Sequence, residues 1–154
     1  MGLTIERVPA ATEEVRQLLA ELDQALSGYS PDQRHALSVE QLFEDNVRFF
    51  AARLDGVALG CGGVAFYDGF AEVKRMYTRP AARRKGVAAA LLRRLEGEAR
   101  EAGHTVLRLE TGMYQHEAIG FYVREGFEEC EAFGDYLALP PQAVETSVFY
   151  EKSL

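Results

Sequence analysis

Two Asp-Gly pairs, Asp55-Gly56 and Asp68-Gly69, constrain this chain more than any other feature. Three runs flank them, Arg48–Leu54, Val57–Tyr67 and Phe70–Thr78, each reading as a strand. An Asp-Gly pair favours a two-residue turn whose twist matches an antiparallel hairpin. Three sequential antiparallel strands are therefore expected. Pro80 breaks the chain after them. Apolar residues then recur at helical spacing through Val87, Ala88, Leu91, Leu92, Leu95, Ala99 and Ala102, with Gly103 as the stop.

The rest of the chain fits around that unit. Leu3–Val8 alternates as a short strand, and Thr12 with Glu13 and Glu14 marks a helix start. Val15, Leu18, Leu19, Leu22 and Leu26 give that helix its apolar stripe, and Gly28 to Pro31 ends it. A second helix is expected near Ser38, with Val39, Leu42 and Phe43 apolar. Thr105–Glu110 reads as a strand, Glu117–Arg124 as a short helix stopped by Gly126, and Phe127–Phe133 and Thr146–Lys152 as the last strands. With no linker or repeat, residues 1–154 read as one mixed α/β domain.

Composition excludes several classes. Hydrophobic residues at 47% and charged residues at 27% describe a folded globular chain. No apolar run approaches the ~18 residues of a membrane span. The N-terminus carries Glu6, Glu13 and Glu14 and lacks an apolar signal core, so a cytoplasmic location is expected. Cys61 and Cys130 form no CxxC pair and read as reduced thiols. Three scattered histidines, His35, His104 and His116, make no metal motif, and no metal is expected.

Net charge is -7, which argues against nucleic acid as a partner. The distribution is uneven. Lys74, Arg75, Arg79, Arg83, Arg84, Lys85, Arg93 and Arg94 fall in one stretch that contains no acid. Such an island fits either a specific anionic ligand or a solvated basic face. Within it, Arg83-Arg84-Lys85-Gly86-Val87-Ala88 joins a strand to a helix. The first turn of a helix has backbone N–H groups without intrahelical acceptors, and the dipole adds positive potential there. A phosphate can be held by those amides, Gly86 leaving room for it to approach. The GxxxxGK[ST] loop is absent, and Gly60-Cys61-Gly62-Gly63 lies within a strand, so neither an ATP-type nor a dinucleotide loop is read. Those glycines read as a bulge or a close backbone approach.

The hexapeptide Arg83–Ala88 resembles the [QR]xxGx[GA] pyrophosphate loop of the GNAT family of N-acetyltransferases. Ala71–Pro80 is similar to that family's fourth strand, Leu107–Gly112 to its fifth, and Glu117–Phe127 to its A-x-x-(L/F)-Y-x-x-x-G-F block. The resemblance implies a GNAT-type acyl-CoA N-acyltransferase fold: a mixed, mostly antiparallel sheet of about seven strands flanked by about four helices. It implies acetyl-CoA as cosubstrate, in an opening between the fourth and fifth strands. Main-chain groups of Met76, Tyr77 and Thr78 would meet the pantetheine arm. An N–H near Met76 would face the thioester oxygen as it gains charge. The loop from Arg83 through Arg84, Lys85, Gly86, Val87, Ala88 and Ala89 would hold the pyrophosphate. Gln115 stands where many members have asparagine, and Ala118 opens the following block.

By the same resemblance, Tyr122 would protonate the departing thiolate, with core packing as its other reading. Glu72 matches a general-base glutamate of one branch, and pairing with Lys74 or an arginine is the alternative. Glu110 is the next candidate base; Tyr67 and Asp68 are weaker ones. The acceptor side would be built from Gly28–Phe50 and Phe133–Val144, with Tyr29, Phe43, Phe133 and Tyr136 as pocket or core aromatics. Phe133–Tyr136 resembles a motif of small-molecule branches. The expected activity is direct acetyl transfer to a primary amine of a small molecule, such as an amino acid or polyamine. A non-catalytic acetyl-CoA sensor and a protein or peptide acceptor are the rivals. The resemblance leaves the assembly open, a homodimer through late strands being common among relatives.

Overall fold

Both Asp-Gly pairs turn hairpins, as their sequence demands. Asp55 (φ 52°) and Gly56 (φ 83°) both take positive φ, and Gly69 (φ 88°) does so in the second turn. The computed structural model describes residues 2–154. Its elements are β1 (Leu3–Arg7), α1 (Glu13–Ala25), β2 (Val47–Leu54), β3 (Val57–Tyr67), β4 (Phe70–Thr78), α2 (Val87–Glu101), β5 (Val106–Gly112), α3 (His116–Arg124), β6 (Glu128–Cys130) and β7 (Ser147–Ser153). One seven-stranded sheet runs β1-β2-β3-β4-β5-β7-β6. Every neighbouring pair is antiparallel except β4 and β5.

Strand alternation builds a core on each face. Along β2, Phe49 and Ala51 face α1, where Val15, Leu18 and Leu19 are buried; Phe50 and Ala52 face α2, against Leu91, Leu92 and Leu95. Each of those leucines removed from water contributes roughly 1.5–3 kcal/mol. The Thr12 hydroxyl caps α1 by accepting the Val15 N–H at 3.1 Å. A third cluster, Phe70, Phe133, Tyr136 and Phe149, sits under the late loop.

Two expectations need correction. The helix near Ser38 is a single 3-10 turn, Gln41–Phe43, so among the described residues three α-helices flank the sheet and not four. The start signal is real: Ser38 and Gln41 exchange side-chain-to-backbone bonds at 2.8 and 3.2 Å. β2 begins at Val47, however, and after the chain turns into that strand only the single 3-10 turn is left. The strand expected over Phe127–Phe133 shortens to β6, because Phe133 turns into the aromatic cluster.

The sheet splits at its centre. β4 pairs with β5 only at Ala71–Leu107 and Glu72–Arg108. Beyond Glu72, the β5-facing edge of β4 has no strand partner. A bulge explains the divergence. The β3–β4 register shifts between Cys61 and Gly63, and Arg75 takes φ 54°, unusual for a side chain of its size. The β3 glycines permit the close approach. A Cβ on Gly60 would lie 2.8 Å from the Tyr77 carbonyl oxygen, and one on Gly62 2.7 Å from Met76 Sδ.

Candidate active site

The split between β4 and β5 opens into a groove of about 970 Å³. β4 contributes Met76, Tyr77 and Thr78. The loop and first turn of α2 contribute Arg83, Arg84, Gly86, Val87, Ala88 and Ala89. Gln115 and Ala118 come from the start of α3, and Tyr122 follows one turn later. Lys85 is exposed beside the groove and does not line it.

The loop suits an anion. Gly86, at the N-cap of α2, takes φ 78°, and no side chain caps the helix, so its first-turn amides are free to bind. The basic island divides by partner. Lys74 pairs with Glu72, Arg75 with Asp23, Arg79 with Glu21, Arg93 with Glu125 and Arg94 with Glu98. Among the described residues, the three without a carboxylate are Arg83, Arg84 and Lys85. Sequence charge alone did not separate the structural cations from these. The Arg79 contact also holds the Glu21 carboxyl below its usual range and ties α1 to the end of β4.

A smaller cavity of about 180 Å³ adjoins the groove. The two share Leu22, Leu26, Met76, Gln115, Ala118 and Tyr122 as walls. Tyr122 is buried, yet its hydroxyl bonds to no described residue. It is also not among the sealed, partnerless polar atoms, which are Arg75 Nε and Thr146 Oγ1. The residue lines both spaces where they adjoin. Burial pushes this phenol up from its ordinary value, so it is firmly protonated at neutral pH.

Glu72 and Glu110 both line the smaller cavity. Glu72 is 3% exposed and engaged: Tyr136 Oη donates to its Oε2 at 2.7 Å, and Lys74 Nζ lies 3.0 Å from the same oxygen. Lys74 also donates to Tyr136 Oη at 3.0 Å, closing a three-membered cluster. Burial first, then Glu72, raises Tyr136 far above an ordinary phenol. Glu110 accepts one bond, from Ser147 Oγ at 2.6 Å. Burial pushes its carboxyl above the usual range; Ser147, His35 and Lys74 oppose the shift and Glu72 adds to it.

Of the four acceptor-side aromatics, Tyr29 and Tyr136 line this cavity. Phe43 packs on Phe49 instead, and Phe133 fills the late cluster between Phe70 and Phe149. Tyr29 reaches the segment before α3, accepting the Tyr114 N–H at 3.0 Å. Tyr67 packs on Phe70 and is outside both spaces. Cys61 is buried, its thiol pushed up to about 12 by burial, which makes it a poor nucleophile. His116 lines the groove from the exposed start of α3. Arg34 and His35 fall in the Gly28–Phe50 segment expected on the acceptor side but were not singled out in it, and both line the cavity. They precede no motif, and only the fold carries that loop to β5. No group of three or more His, Cys, Asp or Glu among the described residues is arranged to hold a metal. None of their helices is long and apolar enough to cross a membrane.

Known proteins share this architecture. A sequence model of the Acetyltransferase (GNAT) family matches residues 13–127. A protein of Azospirillum brasilense named IAA acetyltransferase is 39% identical over 156 residues, 99% of each chain. A Bacillus subtilis protein named uncharacterized N-acetyltransferase YsnE is 37% identical over 127 residues, 80% of this chain and 81% of its own. A crystal structure from Klebsiella pneumoniae, of a candidate acyl-CoA N-acyltransferase, superposes with a TM-score of 0.80 at 35% identity, over 99% of this chain and 97% of that one. The PaiA N-acetyltransferase of Thermoplasma acidophilum, solved with coenzyme A, shares the fold with a TM-score of 0.72 at 20% identity, over 98% and 99%.

Proposed function

The chain belongs to the GNAT family of acetyltransferases, and from that premise we propose that it moves an acetyl group from acetyl-CoA to a primary amine of a small molecule, by direct attack in a ternary complex. One observation carries this reading: the large groove and the small cavity meet at Met76 and Tyr122. Two substrates entering from opposite sides would have their reacting ends together there, which converts a two-body encounter into an oriented one.

Acetyl-CoA supplies an acetyl group already activated as a thioester. The free amides at the start of α2, with Arg83 and Arg84, suit its pyrophosphate. The unpaired edge of β4 at Met76 to Thr78 suits its amide-bearing arm, and an N–H there suits the carbonyl oxygen as charge develops. The acceptor ammonium first gives one proton to a cavity carboxylate, which passes it to solvent. The freed lone pair attacks the acetyl carbon; the C–N bond forms and the C–S bond breaks. The nitrogen sheds a second proton, matched by the one that Tyr122 gives to the departing thiolate, so the phenol is restored.

Glu72 and Glu110 are the candidate bases. Glu110 is the better supported, because burial raises its carboxyl and no cation among the described residues is paired to it, whereas Glu72 is committed to Lys74 and Tyr136. The small volume and the Tyr29–Tyr114 closure favour a small molecule over a peptide terminus. The test is CoA-thiol release from acetyl-CoA across amino acids, polyamines, aminoglycosides and short peptides. Release dependent on a small amine supports the reading. Release only with peptides, or none despite measured acetyl-CoA binding, overturns it.

A further inference from the structure

The charges lining the small cavity do not all cancel within the protein. Asp23 is matched by Arg75, two-pronged at 2.6 and 3.3 Å. Glu72 is matched by Lys74. His35 sets its Nε2 against the Ala143 carbonyl at 2.7 Å. Two groups are left over. Glu110 has the Ser147 hydroxyl as its bonded partner and no cation in ion-pair contact among the described residues. Arg34, at the exposed rim, is the lining cation whose guanidinium bonds to no described residue.

We propose that these two residues read the two charges of the acceptor, and that the acceptor is a small amino acid: its ammonium at Glu110, its carboxylate at Arg34. The proposal rests on the acetyl-transfer reading and narrows it. A desolvated carboxylate is costly while unpaired, and an incoming ammonium supplies the missing partner. A guanidinium offers a fork that matches a carboxylate in two parallel hydrogen bonds. Polyamines fit poorly, because they bring several positive charges to one unmatched carboxylate and nothing to Arg34. Aminoglycosides fit poorly as well, since the cavity is well below the roughly 300–1,000 Å³ of sites for drug-sized ligands. Placing the anchor on the loop after α1 separates recognition from chemistry: Arg34 is remote in sequence from every residue assigned to the transfer.

The experiment has two readouts. Calorimetric titration of the CoA-saturated enzyme compares amino acids with the amines left when their carboxylates are removed. CoA-thiol release from acetyl-CoA is followed with the same compounds. At least one amino acid should bind tenfold or more tightly than its amine. Arg34→Gln should erase that margin, and Arg34→Lys should restore part of it. Amines binding as well as amino acids, no binding by either, or a margin untouched in Arg34→Gln would overturn the proposal. Amino-acid binding without thiol release leaves the charge assignment standing and removes the transferase reading. Thiol release confined to amines without a carboxylate does the reverse.

Discussion

Tyr122 separates a structural from a catalytic role with one atom. Its ring packs on Phe121 and Phe127, but its hydroxyl bonds to no described residue. Tyr122→Phe therefore deletes nothing the fold uses, and the melting temperature should hold or rise slightly. If the hydroxyl protonates the thiolate, kcat should fall by about 10²–10⁴ while acetyl-CoA affinity changes little. Equal turnover would return Tyr122 to packing alone. Gly86 poses the same question for the groove. Its φ of 78° strains any other residue by about 1–2 kcal/mol, so Gly86→Ala and Gly86→Glu should lose similar stability. Gly86→Glu alone adds a negative charge at the proposed pyrophosphate site, and its acetyl-CoA affinity by calorimetry should fall at least tenfold below that of Gly86→Ala. Matching affinities would move the pyrophosphate elsewhere.

The elements divide by how local their causes are. β3 and β4 were legible to the residue, because Asp-Gly turns and Pro80 fix their ends within a few positions. The lining of the groove was legible for a related reason: its loop, strand end and helix start are nearly contiguous in sequence. The aborted helix at Gln41–Phe43 was not, since its cap forms but the following strand limits its length. The smaller cavity was half legible. Glu72 and Tyr136 were visible as separate candidates, but their bond joins positions 64 residues apart. Tyr29 likewise meets β5 through tertiary folding alone. A Cβ on Gly112 would lie 2.1 Å from the Tyr29 hydroxyl oxygen, the movable end of a side chain. Gly112→Ala should swing Tyr29 away, breaking its bond from the Tyr114 N–H, a loss of about 0.5–1.5 kcal/mol. Acceptor KM should change while acetyl-CoA affinity does not. Unaltered acceptor kinetics would mean that Tyr29 does not shape the cavity.

At the scale of the molecule, the fold half-buries a carboxyl group on β5 where β4, β7 and the loop after α1 converge. Glu110 is faced by Ser147 from β7, His35 from the loop after α1, and Lys74 and Glu72 from β4. Burial wins over its favourable neighbours, so the folded chain holds a proton on Glu110 at a pH where the unfolded chain has released it. Stability then falls as pH rises from the unfolded carboxyl value through the folded one. If Glu110 is the base, turnover needs that same ionised form and should fall as pH drops through the raised value. Glu110→Gln should reverse both effects. Its urea midpoint should exceed that of the unmutated protein at pH 7, with the gap closing in acid. Its kcat should drop by about 10²–10⁴ and rise steadily with pH through the neutral range, as the free-amine fraction grows. Glu72→Gln should instead keep the original acid limb. If the limb disappears with Glu72→Gln and persists with Glu110→Gln, the proton goes to β4, and the Lys74–Tyr136 cluster becomes the device that tunes it.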